Sequence, residues 1–192
     1  NKGETYQLQA DSHNGDLTGT HIKGDKNFAV FGGNSWTQIA CGVRDNLLEQ
    51  MYPVSTWGKQ VVTVPSQKTN YDVYRIQASE DNTQVSVYDQ GSVNPQNYTL
   101  DAGEFVEFQK SIPTYIIGDK AIQVAQYFIG ADCNGHFYGD PSMVLLNSVE
   151  QTRQSVTLYN SSYQNIIENY INLIVATNDL PFVEFEIGRA SC

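Results

Sequence analysis

Strict alternation of apolar and polar residues constrains this chain more than any other feature. It runs through Tyr74-Arg75-Ile76-Gln77-Ala78, Gln84-Val85-Ser86-Val87, Ser155-Val156-Thr157-Leu158 and Val183-Glu184-Phe185-Glu186-Ile187, with turn residues such as Glu80-Asp81-Asn82 and Asn178-Asp179 at the boundaries. Successive side chains of a strand point to opposite faces, so the pattern predicts half-buried antiparallel strands. Two nearly continuous apolar runs, Phe28 to Phe31 and Ile122 to Ile129, predict core strands covered on both faces. Tyrosine, threonine, valine and isoleucine are plentiful, glycine and asparagine punctuate often, and the fold class expected is all-β.

The chain also resembles itself. Lys2-Gly3-Glu4 matches Ala102-Gly103-Glu104, and Ile22-Lys23-Gly24-Asp25-Lys26 matches Ile116-Ile117-Gly118-Asp119-Lys120. Further on, Lys59-Gln60-Val61-Val62-Thr63-Val64 falls on Arg153-Gln154-Ser155-Val156-Thr157-Leu158, and Ala78-Ser79-Glu80-Asp81 on Ala176-Thr177-Asn178-Asp179. The expectation is a duplicated unit: two tandem antiparallel β-sandwiches packed together, the first over residues 1–99 and the second over 100–192. The joint, Asn97 to Gly103, is too short for a free hinge.

Two segments carry a helical period instead. Leu47, Leu48 and Met51 share a helical face behind Asp45, which predicts a short helix in a loop. Tyr163, Ile166, Ile167, Tyr170, Ile171 and Ile174 are also spaced helically, but the repeat places residues from Tyr170 onward on a strand, and that reading is preferred.

With 192 residues, 40% of them apolar, the chain can bury a core. A net charge of −10 with no basic run argues against nucleic acid and anionic membranes as partners. No stretch approaches the roughly 18 consecutive apolar residues of a membrane-spanning helix, so no membrane insertion is expected. The chain opens at Asn1 without a signal-like segment and closes on Cys192, an odd third cysteine, so it reads as a piece of something longer, truncated in its second unit. The cysteine spacings fit neither a zinc site nor a thioredoxin-type pair, leaving buried thiols or one disulfide.

Catalytic chemistry is not written in the sequence. His13, His21 and His136 are not arranged with a nucleophile and an acid, and no nucleophile elbow, phosphate loop, dinucleotide fingerprint or zinc-protease motif occurs. Asp11-Ser12-His13-Asn14-Gly15-Asp16 lacks the ligand spacing and closing glutamate of an EF-hand, so it reads as a solvated turn; no cofactor is expected, and structural calcium, though possible, is not indicated. Asp132 to Pro141 is the densest polar and glycine cluster, and loops at the end of a sandwich commonly carry recognition; a long turn between core strands is the plainer reading. Trp36 and Trp57 flank the Cys41 loop, where an exposed tryptophan can anchor a ligand, although packing is its commoner fate. Asn97-Tyr98-Thr99 and Asn160-Ser161-Ser162 have the form of glycosylation acceptors.

Asp25 to Asn34, Leu48-Glu49-Gln50-Met51-Tyr52-Pro53-Val54-Ser55-Thr56-Trp57-Gly58-Lys59, Tyr74-Arg75-Ile76, Ala78 to Thr83, Leu100 to Glu104, Val124 to Tyr127, Gly139-Asp140-Pro141-Ser142-Met143 and Val149-Glu150-Gln151 form an ordered string of blocks. That string resembles the IgGFc-binding protein N-terminal domain family over nearly the whole chain. The resemblance implies a secreted or cell-surface protein in which the domain mediates adhesion or ligand binding, without catalytic residues. Family members often carry a second cysteine just before the Leu-x-Glu-Gln block, and Gly42 to Asn46 contains none. The repeat places Cys41 and Cys133 in matching loops, and kinship with exported proteins favours a disulfide between them.

These readings lead to an extracellular, non-catalytic adhesion module that holds a protein or glycan on end loops. Its weakly marked contact residues are Trp36, Trp57, His136 and Tyr138, and its other partners are neighbouring domains of the same long chain. The alternative is a structural spacer or assembly block with no ligand of its own.

Overall fold

The computed structural model describes residues 3–12, 15–135, 139–159 and 169–185. Nine antiparallel strands occur among them: β1 (Phe31–Gln38), β2 (Arg44–Gln50), β3 (Gly58–Thr63), β4 (Asp72–Ala78), β5 (Thr83–Asp89), β6 (Gln96–Leu100), β7 (Phe105–Lys110), β8 (Thr114–Phe128) and β9 (Ser142–Leu146). A four-residue helix, α1 (Ala131–Asn134), follows β8. The all-β expectation holds.

The long strand β8 organises the rest. Its first part, Thr114 to Gly118, pairs with β3 on one side and β5 on the other. Its second part, Ile122 to Phe128, pairs with β4 and β9. β6 extends the first group beyond β5, and β7 the second beyond β4. Between the two parts, β3 advances from Gln60 to Gly58 while β8 advances from Ile117 to Ile122, so residues 118–121 stand opposite Lys59 alone. A bulge of this kind bends a strand and lets a sheet curl. Gly118-Asp119-Lys120, part of the motif matched to residues 22–26, lies in this bulge inside β8. Lys59 Nζ donates to the Asp119 carbonyl at 2.6 Å, the Gln84 amide donates to Asp119 Oδ1 at 2.8 Å, and Lys120 Nζ donates to the Asp81 carbonyl.

The curled sheet closes on one core drawn from both parts of β8: Val61, Tyr74, Ile76, Ala78, Val85, Val87, Leu100, Ile116, Ile122 and Val124. Alternation explains the set, because Tyr74, Ile76 and Ala78 on β4 and Val85 and Val87 on β5 all point inward. Each fully buried valine or isoleucine contributes about 1.5–3 kcal/mol. At the edge of this core Asp72 is fully buried. It accepts the Ser66 amide at 2.6 Å, Ser66 Oγ at 2.7 Å and Gln126 Nε2 at 2.6 Å, which folds the loop between β3 and β4 around one carboxylate. Burial, with the Asp72 charge beside it, pushes the Tyr74 phenol well above its usual range.

An irregular segment ahead of β1 docks on the sheet. Arg75 donates to Asp16 Oδ2 at 2.8 Å, to Thr18 Oγ1 at 2.7 Å and to Glu107 Oε2 at 2.8 Å, with its guanidinium 4.2 Å from the Phe105 ring centre. Gly19 (φ +89°) meets Gly103 (φ +82°) backbone to backbone, and a Cβ on Gly19 would lie 2.5 Å from the Gly103 carbonyl oxygen. Burial alone would raise the Asp16 pKa, but hydrogen bonds from the Thr18 hydroxyl and amide, with Arg75, hold it below the ordinary carboxylate value.

The structure departs from the sequence reading in several places. Residue 99 does not separate two sandwiches: strands on both sides of it share one sheet, and Asn97 to Gly103 spans the end of β6 and the turn into β7. The compact units are Asn1–Ser155 and Val156–Cys192. Phe28 to Phe31 is not a core strand; Phe28 and Phe31 are exposed and only Phe31 enters β1. Asp45 to Met51 is not helical, since all but Met51 lie in β2. There Leu47 is 8% exposed and Leu48 is 66% exposed, the opposite-face placement of adjacent strand residues.

In the second unit the described part of the alternating runs, residues 156–158 and 183–185, forms no strand, and neither does 170–176. Alternation supplies two faces but no hydrogen-bonding partner, and no described segment pairs with these runs. Regular structure among the described residues of this unit is limited to a 3-10 segment, Thr177–Phe182. The start of the helically spaced stretch, residues 163–168, and Glu186 and Ile187 of the last alternating run lie outside the described residues.

Candidate binding site

Three loops of the first unit converge on a covalent tie. Cys41, in the turn between β1 and β2, is disulfide-bonded to Cys133 in α1, with 5.7 Å between their Cα atoms. The expected pairing is the one formed. Asp132 reinforces it: its Oδ2 accepts the Gly42 amide at 2.6 Å and the Val43 amide at 3.0 Å. The third loop joins through Asn70, whose amide donates to Asn134 Oδ1 at 2.9 Å and whose side-chain nitrogen donates to the Cys133 carbonyl at 2.9 Å. The Tyr71 hydroxyl approaches Cys133 Sγ at 3.7 Å.

The β1–β2 hairpin that this knot secures carries an apolar outer surface. Gly33 pairs with Leu48 and Phe31 with Gln50, so Phe31, Gly33 and Leu48 share one face. Phe31 and Leu48 are both exposed, and Trp36, beside the irregularity between Asn34 and Thr37, is 63% exposed. The Trp36 amide donates to Asn34 Oδ1 at 3.0 Å, which fixes the local backbone. Gly33 is required here because a Cβ would run into the Leu47 carbonyl.

The two tryptophans therefore differ. Trp36 is displayed, whereas Trp57 is partly buried and its indole N–H donates to the Tyr52 carbonyl at 3.2 Å. His136 and Tyr138 lie outside the described residues, as do His13, Asn160 and Cys192; His21 is exposed. Phe31, Leu48, Asp132 and Asn70 were not singled out from sequence as site residues. Asp132 lay within the polar loop flagged as a recognition candidate, but nothing in the sequence relates Asn70 to it.

Cys41, Asp132 and Cys133 bring three metal-type donor atoms together. Both sulfurs are spent in the disulfide, and a thiolate is what binds metal, so this cluster is a structural tie. Among the described residues no helix is long and apolar enough to cross a membrane.

No curated protein and no solved structure matches the chain. The family described as IgGFc binding protein matches residues 1–186, nearly the whole chain, and the chain thus belongs to this family of extracellular, binding-type domains.

Proposed function

We propose that the chain is a non-catalytic adhesion module of a larger secreted or cell-surface protein, and that it holds a protein ligand on the disulfide-tied β1–β2 hairpin. The observation that carries this is Trp36. A large aromatic side chain, 63% exposed, stands on a hairpin whose turn is fixed by a disulfide and by the Asp132 carboxylate. Rigid display of an aromatic lowers the ordering cost of binding, and tryptophan is enriched among residues that dominate interface energies. Phe31 and Leu48 are further exposed apolar side chains of the same hairpin.

The family name suggests the Fc part of immunoglobulin G as the first probe. Binding of the oxidised chain to immobilised Fc is measured, then repeated with Trp36→Ala. The reading expects a loss of about tenfold or more for Trp36→Ala with an unchanged melting temperature. Equal binding by the variant removes Trp36 from the site.

A structural role within a long surface protein is the second reading. Val156, Leu158, Tyr159, Phe182 and Phe185 of the second unit are all exposed, a set of apolar side chains suited to contact with neighbouring domains. Sedimentation of the chain joined to its neighbouring domains tests it: a single compact particle supports the spacer, and independent beads oppose it.

A further inference from the structure

Sheet faces open to water are ordinarily polar, and one end of the outer face over β5 and β6 obeys. Ser86 Oγ donates to Asn97 Oδ1 at 2.7 Å, and Thr99 Oγ1 donates to Gln84 Oε1 at 2.9 Å. The other end of the same face does not. Val62, Tyr115 and Tyr88 stand in one cross-strand row on β3, β8 and β5, with Tyr115 the register partner of both others. Their inward-facing neighbours Val61, Ile116 and Val87 are core residues, so this row must face outward.

The row is built rather than incidental. The Tyr88 and Tyr115 rings lie with centres 6.3 Å apart and planes inclined at 34°. The Tyr115 hydroxyl donates to Gln60 Oε1 at 2.7 Å, which fixes that ring. Together with Asp89, Gln90, Ser92 and Pro113 they line an open cleft of about 400 Å³. That volume falls within the roughly 300–1,000 Å³ of small-molecule sites.

We propose that this cleft binds an uncharged saccharide, a pyranose ring lying against Tyr88 and Tyr115 with its hydroxyls reaching Gln90 and Asp89. Aromatic rings offer an apolar surface to the C–H face of a sugar while their hydroxyls stay wet. Charge selects against acidic sugars and phosphates. Lys110 Nζ sits 2.6 Å from Asp89 Oδ1, so the nearby cation is already neutralised, and the chain carries −10 overall. Over Thr114 to Gly118, β8 is paired on both sides and offers a docking strand no backbone edge, whereas β3 and the Tyr88–Asp89 end of β5 pair only with β8 among the described residues, so strand addition there is the competing outcome that a peptide probe tests. This goes beyond the hairpin reading, which uses a different surface.

The intact, oxidised chain is titrated by nuclear magnetic resonance with neutral hexose and N-acetylhexosamine oligomers, with sialylated and sulfated counterparts, and with a β-strand peptide. Neutral oligomers are expected to shift resonances of Tyr88, Gln90 and Tyr115. Affinity is expected to fall about tenfold in Tyr88→Ala, in Tyr115→Ala and in the exposed turn variant Gln90→Ala, which leaves the sheet intact, and to be unchanged in Trp36→Ala. The proposal is overturned if no neutral oligomer binds, if only acidic sugars or the peptide bind, or if Gln90→Ala and the tyrosine variants bind like the parent. Fc binding that depends on Trp36, in a chain that ignores every sugar, would sink the cleft and leave the hairpin reading standing.

Discussion

Asp132 holds Gly42 by a 2.6 Å hydrogen bond from the Gly42 amide, one residue along from each end of the Cys41–Cys133 disulfide. A covalent bond and a charge-assisted hydrogen bond thus secure the same hairpin turn to the helix that follows β8. The two ties separate experimentally.

Replacing both cysteines with serine removes a cross-link between positions 92 apart in sequence. Chain-entropy arguments for a loop of that length give a loss on the order of 4 kcal/mol. Asp132→Ala, which spares the disulfide, is expected to cost about 1 kcal/mol because the group is exposed. Denaturant unfolding under oxidising conditions checks both, and equal losses would contradict this division of roles.

Asp72 is the buried polar node of the sheet. Asp72→Ala leaves the Ser66 amide and Gln126 Nε2 without their acceptor and is expected to destabilise by roughly 3 kcal/mol. Asp72→Asn, which retains one acceptor oxygen, should lose less. Urea midpoints for the two variants rank them, and the reverse order would show that the loop between β3 and β4 is held otherwise.

Asp16 supplies a pH dependence whose sign follows from its lowered pKa. Its folded value lies below the ordinary 3.8, so its stabilising contribution is present at neutral pH and is lost as pH falls below about 4 through the folded value. Protection of the Thr18 amide, its exchange relative to the intrinsic rate at the same pH, should therefore fall at acid pH in the parent. Asp16→Asn should show low protection already at neutral pH, and parent protection that stays constant through acid pH would rule the mechanism out.

Gly33 has no room for a side chain against the Leu47 carbonyl. Gly33→Val should disrupt β1–β2 pairing, lower the protection of the Leu48 amide at least tenfold, and leave the amides of Ile76 and Val124 protected. Uniform loss of protection would mean that the hairpin is integral to the main core.

Tyr74 to Ala78, Gln84 to Val87 and the apolar run from Ile122 were legible as strands because their patterns have the period of the pleat and both neighbours needed to pair them are present. Leu47-Leu48 misled because two adjacent apolar residues satisfy a helical face and a strand buried on one side equally well; pairing with β1 decided it. The tyrosine row was invisible, since Tyr88 and Tyr115 are separated in sequence and meet only through register.

The sequence by itself determined the all-β class, the inward set of β4 and β5 and the family, because these depend on local alternation and ordered motifs. Tertiary structure alone decided that strands on both sides of residue 99 share β8, that Trp36 is displayed while Trp57 packs, and that Asp132 and Asn70 meet at the disulfide. Those outcomes depend on which distant strands pair and in what register, and alternation says which way a side chain faces without saying what lies opposite it.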